Sequence, residues 1–208
     1  MRVLVTGGAG FIGSHIGEGF LKEGYEVDIL DNLSTGVKSN IPEKAKFYQE
    51  NISNPALGIL FKERKYSIMC HHAAQIDVRK SVADPVNDVT VNVIGTINLL
   101  LLCLEYGVQY IIFASTGGAI YGEQSNFPAD ENHPTNPDSP YGISKLTVEK
   151  YLGYMYKNFG LPYVALRYTN VYGPRQNPKG EAGVISIFID RLLHKQETVI
   201  FWRRQTNT

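Results

Sequence analysis

The chain has 208 residues, 43% of them hydrophobic, which is enough for one complete core and the beginning of a second region. Its 20 Lys and Arg balance its 20 Asp and Glu, so the formal net charge is +0. This balance gives no electrostatic reason to expect a nucleic acid or an anionic membrane as a partner. We also expect no membrane span and no leader peptide. The two cysteines, Cys70 and Cys103, suit a cytoplasmic protein.

Short apolar runs rich in β-branched residues alternate with longer stretches of helical periodicity. The predicted strands are 3–5, 27–30, 47–48, 67–70, 110–113 and 163–166. The predicted helices are 11–22, 55–65, 86–106, 141–159 and 183–193. Runs that are apolar throughout suit strands covered on both faces. The sequence therefore predicts an α/β fold with a Rossmann-type doubly wound parallel sheet.

A glycine-rich turn follows the first predicted strand and leads directly into a helix. Gly7 permits the tight turn, Gly10 leaves room for a pyrophosphate beside backbone N–H groups, and Gly13 lets the helix pack close to the strand. The second strand ends in Asp31, roughly 20 residues further on, where a carboxylate accepts hydrogen bonds from the ribose hydroxyls of adenosine. Because that carboxylate would repel a 2′-phosphate, the predicted cofactor is NAD rather than NADP.

Tyr141 and Lys145 lie one helical turn apart at the start of a long predicted helix. A positive charge beside the phenol would lower the pKa of Tyr141, so that it can take a proton from a hydroxyl while hydride leaves the same carbon. A solvated surface pair is the alternative, because a chain with 13 Tyr contains roughly one Tyr-x-x-x-Lys by chance. The preceding strand, which ends in Ser115 and Thr116, favours the catalytic interpretation.

Seven segments together resemble the NAD-dependent epimerase/dehydratase family, part of the extended branch of the short-chain dehydrogenases/reductases. They are residues 6–15, 31–36, 72–75, 92–96, 115–122, 139–145 and 166–175. The spacing Gly7-x-x-Gly10-x-x-Gly13 differs from the commoner G-x-G-x-x-G and is typical of that branch. The resemblance extends to about residue 200 and is closest to the UDP-hexose 4-epimerases of the family.

The resemblance implies binding roles for many further residues. Besides the three glycines, Asp31, Tyr141 and Lys145, it places on the cofactor Phe11, Ile12, Asn32, Ser34, Thr35, Gly36, Asn51, Ile52, Ala73, Ala74, Gln75 and Asn92. It places the UDP-sugar substrate beside Ser115, Thr116, Asn170 and Arg175. For Arg175 the alternative is an exposed loop cation. No metal ion is implied. His71 and His72, whose side chains point to opposite faces of a strand, are expected to pack or to line the cleft.

The catalytic residues that the resemblance implies are Thr116, Tyr141 and Lys145. Many relatives have a serine four residues before the tyrosine of a Tyr-Gly turn, whereas this chain has Gly117 there. We therefore assign the role of orienting the hydroxyl to Thr116, with Ser115 as the alternative. Dehydratases of the family carry an Asp-Glu pair after the threonine. Gly117 and Gly118 offer no proton-transfer group, so dehydration is disfavoured.

The implied activity is the epimerisation of a UDP-hexose at carbon four, between UDP-glucose and UDP-galactose, through a 4-keto intermediate and without net redox change. The alternatives are another nucleotide-sugar epimerase or reductase, or a truncated NAD-binding domain without turnover. By analogy with the family, the helices predicted at 86–106 and 141–159 imply a homodimer.

The end of the chain departs from the family pattern, which reads Gly-Asp-Gly where this chain continues from Trp202 to Thr208. Codons for these residues exist in which deleting one T restores that pattern, so we hypothesise a one-base insertion, real or a sequencing error. We accordingly expect residues 1–170 to form an NAD-binding Rossmann domain and 171–208 a truncated start of a substrate-binding region. Residues from Trp202 onward should be poorly ordered, and Ile185, Phe188 and Ile189 should be left exposed.

Overall fold

A computed structural model describes residues 1–124, 126–178 and 183–198 of the chain. Its six strands are all parallel and form one sheet. They are β1 (Arg2–Thr6), β2 (Glu26–Asp31), β3 (Lys46–Gln49), β4 (Ile68–His71), β5 (Tyr110–Thr116) and β6 (Tyr163–Tyr168). The order β3-β2-β1-β4-β5-β6 is that of a Rossmann-type sheet, which confirms the predicted fold class.

Helices follow most of the strands. They are α1 (Phe11–Lys22), α2 (Leu57–Arg64), α3 (Val78–Ala83), α4 (Pro85–Val89), α5 (Gly95–Glu105), α6 (Gly117–Ile120), α7 (Pro140–Phe159) and α8 (Val184–Leu193). A π-helical turn, Thr90–Ile94, joins α4 to α5, and a 3₁₀ turn, Lys38–Asn40, follows β2. The long helices agree with the sequence prediction. The short α3 and α6 were not predicted, because so few residues show no periodicity.

Local sequence explains where α7 begins and ends. The Ser139 hydroxyl accepts a hydrogen bond from the Gly142 N–H at 3.1 Å, and Pro140 takes the first helical position, where its missing N–H costs nothing. The helix ends at Gly160, which has a φ of +68°, a conformation that favours glycine. Gly24 and Gly107 likewise have positive φ just after α1 and α5, as predicted from their positions in the sequence.

The apolar core lies on both faces of the sheet. On one face, strand residues such as Leu4, Met69 and Phe113 pack with side chains of α2, α5 and α7. On the other face, Val5 and Ile29 belong to a smaller cluster covered by α1. This arrangement leaves the carboxyl ends of the strands as the edge where loops converge, which is where such sheets bind ligands.

The helical run Pro85–Glu105 departs from the expectation that no stretch approaches a membrane span. Its 21 residues have a mean hydropathy of 1.5 over the most apolar window, so length and composition alone would allow a span. Half of that window is buried inside the fold, however, and Asp88, Asn92 and Thr96 are buried polar residues on it. The run is therefore a core helix of this domain.

The region after β6 is largely exposed. Strand β6 forms one edge of the sheet, and all of its residues are partly exposed. Helix α8 has no buried residue, and Ile185 and Ile189 are 39% and 52% exposed, while Phe188 is half-buried. The predicted disorder from Trp202 onward lies outside the described residues.

Candidate active site

The turn between β1 and α1 requires glycine at two positions. Gly7 has a φ of +69°, and a Cβ there would lie 2.6 Å from the Ala73 nitrogen. A Cβ on Gly13 would lie 2.3 Å from the Gly7 carbonyl oxygen, which is well inside van der Waals contact. Gly10 is less crowded, with 3.1 Å from its ideal Cβ to the same oxygen. The turn is therefore as tight, and the helix as close to it, as the glycine spacing suggests.

Helix α1 begins without a capping side chain. Its N-cap is Gly10, no side chain accepts a hydrogen bond from its first turn, and that turn contains no acidic residue. The first N–H groups of a helix have no acceptor within the helix, so those of Phe11, Ile12 and Gly13 are suited to an anion. A glycine turn that leaves space beside uncapped N–H groups fits the diphosphate of a dinucleotide.

The end of β2 is tied to this turn through Asp31. This residue is 8% exposed, and its two carboxylate oxygens accept hydrogen bonds from the Ala9 and Leu33 N–H groups at 3.0 and 2.8 Å. A Cβ on Gly36 would lie 2.8 Å from Asp31 Oδ1, so the following loop packs directly on the carboxylate. Each oxygen keeps a second lone pair for a ribose hydroxyl. The predicted residues Asn32, Ser34 and Thr35 lie exposed on the same loop.

The loop after β4 lies beside the glycine turn, because β4 pairs with β1 and Thr6 is in register with His71. The Ala73 N–H donates to Thr6 Oγ1 at 3.2 Å, and Ala74 follows at the same edge. The chain leaves β1 and β4 in opposite directions along the sheet, so a crevice opens between the two loops, as in other doubly wound sheets.

Gln75 is held by the protein itself. Its side-chain amide donates to Asp88 Oδ1 at 3.0 Å and to the Asp77 carbonyl, and its side-chain oxygen accepts from the Asp77 N–H. Its backbone N–H and carbonyl both pair with the Asn92 side chain at 2.9 Å. The structure therefore places Gln75 in a polar network beside the crevice, and its assignment to the cofactor stays a prediction.

Asn51 and Ile52 follow β3 and also have partners within the fold. Asn51 Oδ1 accepts hydrogen bonds from the N–H and hydroxyl of Ser53. Ile52 is 5% exposed and packs in the core against Gly95, and its carbonyl accepts from Asn98. A cofactor contact at Ile52 would have to involve its backbone.

Asn92 lies in the π-helical turn, which interrupts an otherwise α-helical run. Such single turns are frequent at functional sites. The Asn92 carbonyl accepts from the Thr96 hydroxyl at 2.7 Å, and its amide nitrogen donates to Asp88 Oδ1 at 2.9 Å in addition to the Gln75 carbonyl. Asn92 thus supports the loop after β4 from below.

Helix α7 carries Lys145 into the interior. Lys145 is 4% exposed, and its ammonium donates a hydrogen bond to the Ala114 carbonyl near the end of β5 at 2.9 Å. The ammonium lies 4.8 Å from the centre of the Phe113 ring and 5.8 Å from that of Tyr141. A solvated surface pair, the alternative weighed from the sequence, is therefore wrong for Lys145. Tyr141 is half-buried in the first turn of α7, where its N–H donates to the Ser81 hydroxyl.

The two candidate hydroxyls at the end of β5 are in different environments. Ser115 is 4% exposed and donates to Glu149 Oε1 at 2.6 Å, within a cluster where Arg167 also pairs with Glu149. Thr116 is the next residue, so its side chain points to the other face of the strand, and it is half-buried at the N-cap of α6. Ser115 is thus already engaged by Glu149, and the assignment of the substrate hydroxyl to Thr116 stays a prediction.

Burial sets the charges around Lys145. Desolvation lowers the pKa of Lys145 to about 8, opposed by the nearby Asp88 carboxylate, which raises it. Burial, followed by the repulsion of Lys145, lowers the pKa of His72 to about 4 and that of His71 well below its usual value. Both histidines are therefore neutral at pH 7, and Lys145 is the cation of this neighbourhood. His71 bridges the Thr6 and Thr96 hydroxyls, and His72 contacts the Tyr168 hydroxyl at 3.1 Å.

The two predicted substrate residues after β6, Asn170 and Arg175, are in different environments. Asn170 is exposed just beyond the strand. Arg175 donates to the Ser14 hydroxyl at 3.0 Å and pairs with Glu18, both on α1, and this pairing lowers the pKa of Glu18. The guanidinium thus fastens the loop after β6 onto α1 near the glycine turn.

Asp88, the residue at the centre of this polar network, was not predicted from the sequence. It is fully buried and receives hydrogen bonds from Gln75, Asn92 and Ser144. A signal was present, since Asp88, Asn92 and Thr96 recur every four residues and form one polar stripe along an otherwise apolar helix. Among the residues that the structure describes, no group of three or more His, Cys, Asp or Glu is placed to hold a metal ion.

Comparison with known proteins decides the family. The model of the NAD dependent epimerase/dehydratase family matches residues 3–208. The chain belongs to this family. It is 52% identical over 199 residues to a putative UDP-glucose 4-epimerase of Methanocaldococcus jannaschii, and 43% identical over 207 residues to a UDP-glucose 4-epimerase of Mycolicibacterium smegmatis. These matches cover 96% and 97% of this chain but 65% and 66% of the two relatives, so the chain spans about two thirds of their length.

Solved structures of family members agree with the fold. A Thermus thermophilus UDP-glucose 4-epimerase in complex with NAD has a TM-score of 0.91 at 50% identity, covering 95% of this chain and 64% of that one. A Thermotoga maritima UDP-glucose 4-epimerase with UDP-glucose has a TM-score of 0.94 at 46% identity, covering 97% and 66%. A UDP-N-acetylglucosamine 4-epimerase from Methanobrevibacter ruminantium, 36% identical, has a TM-score of 0.90 over 96% of this chain and 65% of its own.

Proposed function

We propose that this family member acts in the NAD-dependent epimerisation of a UDP-hexose at carbon four, between UDP-glucose and UDP-galactose. One observation carries the proposal: the buried Lys145 ammonium, with Tyr141 one turn before it, lies at the same edge of the sheet as the uncapped start of α1. An anion site and a proton-transfer pair at one crevice are what a dinucleotide-dependent reaction at a hydroxyl-bearing carbon requires. The UDP-glucose 4-epimerases among its relatives support the same conclusion.

The glycine turn and the start of α1 provide the groups that NAD binding requires. The N–H groups of Phe11, Ile12 and Gly13 would hold its diphosphate, and the Asp31 carboxylate would accept its adenosine ribose hydroxyls. When bound, NAD supplies the hydride acceptor for carbon four of the sugar. We assign these functions to a dinucleotide-binding domain at residues 1–170, with residues 171–208 as the start of a substrate-binding region.

The chain's own residues would move the proton. Tyr141 takes the proton of the 4-hydroxyl, and the Lys145 cation favours the phenolate form that this step needs. When carbon four of the 4-keto sugar regains hydride on its opposite face, Tyr141 would return its proton to the oxygen, and no net redox change would result. Thr116 would orient the reacting hydroxyl from the end of β5, and Asn170 would approach the diphosphate of the sugar nucleotide.

Two measurements test this proposal. Binding of NAD, followed by calorimetry, should persist in Tyr141→Phe, because the phenol hydroxyl is not needed to hold the diphosphate. Conversion of UDP-galactose to UDP-glucose without added reductant, followed by chromatography, should fall by about 10²-fold or more in the same variant. Turnover by Tyr141→Phe at the rate of the parent chain would refute the assignment of the base.

A second candidate is NAD binding without turnover. The observation that favours it is the exposure of α8, on which Ile189 and Leu193 are 52% and 78% exposed and no residue is buried. The sugar nucleotide depends on this region more than the dinucleotide does, because the anion site at α1 is complete within residues 1–31. A chain that binds NAD but leaves UDP-galactose unchanged would favour this candidate. Formation of a different epimer would instead indicate another nucleotide-sugar epimerase.

We also propose a homodimer in the cytoplasm. Apolar side chains are exposed on neighbouring helices: Ile94 and Leu101 are both 54% exposed, and Ile143 and Tyr154 on α7 are 52% and 51% exposed. Packing these helices against a second copy would remove this apolar surface from water. Light scattering should give twice the mass of 23.2 kDa, and Leu101→Glu should return the monomer. The buried free thiols of Cys70 and Cys103 support a reducing compartment.

A further inference from the structure

Asp88 is a fully buried carboxylate on α4. Charged residues are almost never buried in this way unless they are paired and hydrogen-bonded. Asp88 meets the second condition, because Oδ1 accepts from Gln75 Nε2 at 3.0 Å and Asn92 Nδ2 at 2.9 Å, and Oδ2 accepts from the Ser144 hydroxyl at 2.6 Å. None of these three donors carries a charge, so the negative charge of Asp88 needs a cation elsewhere.

The nearest buried cation in the sequence is Lys145, which directly follows Ser144. Ser144 directly precedes Lys145 on α7, and Lys145 is buried with its ammonium on the Ala114 carbonyl, a neutral acceptor. Burying an ammonium without an anion is costly, since its hydration is lost. Helix α4 packs against α7, and from beyond ion-pair distance the Asp88 carboxylate offsets part of the cost of burying the Lys145 ammonium.

We infer that Asp88 is a positioning residue and the counter-ion of Lys145. Asp88 joins α7 to the loop after β4, and its charge keeps the Lys145 ammonium protonated beside Tyr141. Through Ser144 the carboxylate sets the position of the first turns of α7, and through Gln75 it sets the loop that borders the crevice. The catalytic significance of this role rests on the proposed function, whereas the electrostatic pairing itself does not.

The other titratable groups around Lys145 do not replace Asp88. His71 and His72, from the end of β4, are neutral because burial and Lys145 lower the pKa of both. Tyr141, on α7 itself, presents its ring at 5.8 Å, and β5 contributes the Phe113 ring and a carbonyl. Among the described residues that face Lys145, Asp88 is the one whose charge raises the pKa of the ammonium against desolvation.

Asp88→Asn separates the charge from the hydrogen bonds. The amide oxygen can accept from Gln75 and Asn92 as Oδ1 does, and the amide nitrogen can donate to the Ser144 hydroxyl, which then acts as acceptor. The substitution therefore removes the charge and keeps each of the three partners. Ser144→Ala is the matched control, because it removes one hydrogen bond and keeps the carboxylate.

The experiment measures the titration of Lys145 directly, by carbon-13 NMR of the chain labelled at the lysine ε-carbons, with the signal assigned by its loss in Lys145→Arg. We expect a pKa near 8 in the parent chain. In Asp88→Asn it should fall by about one unit or more, and in Ser144→Ala it should change by less than about 0.3 unit. An unchanged value in Asp88→Asn, or an equal fall in Ser144→Ala, would overturn the counter-ion role.

A measurement without mutation covers the case in which Asp88→Asn does not fold. In the parent chain, the ε-carbon signal of Lys145 should show the ammonium form at pH 6, and a neutral amine at that pH would overturn the inference. Neither measurement uses NAD or a sugar nucleotide. A chain that binds no NAD and converts no UDP-galactose would thus refute the proposed function while the Lys145 titration still decides the role of Asp88.

Discussion

Replacing Lys145 with Met should change how the stability of the protein depends on pH. The pKa of Lys145 is lowered from 10.5 to about 8 because the ammonium is desolvated in the folded state. Between these two values the unfolded chain binds a proton that the folded chain has lost, so this residue makes the free energy of unfolding rise with pH. Below pH 8 both states hold the proton, and the contribution is constant.

The size of the effect follows from the two pKa values. Integrated from pH 7 to pH 9, a shift from 10.5 to about 8 adds about 1.3 kcal/mol to the free energy of unfolding. Lys145→Met removes this increment. The buried thiols make the free energy of unfolding fall with pH, because burial raises the pKa of Cys70 to about 12. This contribution is the same in the parent chain and in Lys145→Met. The difference between the parent chain and the variant therefore isolates Lys145.

Urea unfolding followed by circular dichroism at pH 7, 8 and 9 measures this difference, provided that the m-values agree. Lys150→Met is the matched control, since Lys150 is exposed on the same helix, and its curve should run parallel to that of the parent chain. If the free energies of the parent chain and Lys145→Met keep a constant separation from pH 7 to pH 9, the reasoning from burial is wrong.

Three further predictions concern the glycine turn, the loop after β6 and the buried histidine. Gly13→Ala should lower the free energy of unfolding by about 1–3 kcal/mol, because its Cβ would lie 2.3 Å from a backbone oxygen. Gly19→Ala should raise the free energy of unfolding by up to about 1 kcal/mol, because nothing lies within 4 Å of its Cβ position. Urea unfolding of both variants checks these values. Arg175→Ala should change the free energy of unfolding by less than about 1 kcal/mol, because the pair of Arg175 with Glu18 is partly exposed. It should speed NAD release in stopped-flow measurements, because Arg175 holds the loop after β6 on α1 near the glycine turn. Because His71 stays neutral when folded, the free energy of unfolding should fall as the pH falls below 6.5, and urea unfolding at pH 5–7 should show a smaller slope in His71→Asn.

The features that follow from local sequence were predictable. The strands, the long helices and the glycine turn depend on apolar periodicity and on positions where only glycine fits, and both are visible in the sequence. Gly13 illustrates this, because the contact that excludes a side chain lies within the same turn. The parallel sheet followed from the alternation of strands and helices, whereas the strand order was not predicted.

The network around Asp88 was not predicted, because its members are far apart in sequence. Gln75 and Ser144 lie 13 and 56 residues from Asp88, and only folding brings them onto one carboxylate. The contact of the Arg175 guanidinium with α1 is a similar case, because its partners Ser14 and Glu18 lie 161 and 157 residues away. The sequence assigned Gln75 to the cofactor and Arg175 to the substrate, but it gave neither residue its partners within the protein. Their partners depend on how α7 and the loop after β6 cross the edge of the sheet.

The order in which the buried groups titrate explains why so many of them can lie beside Tyr141. His72 has a pKa of about 4 and Lys145 one of about 8, so between these values both imidazoles are neutral and Lys145 is an ammonium. The Lys145 ammonium lies 5.8 Å from the centre of the Tyr141 ring, where its positive charge favours a phenolate. Protonation of His72 below pH 4 would add a second cation, and loss of the Lys145 proton above pH 8 would leave a carboxylate alone. The support that the Lys145 ammonium gives to a phenolate at residue 141 therefore declines as the pH rises above about 8.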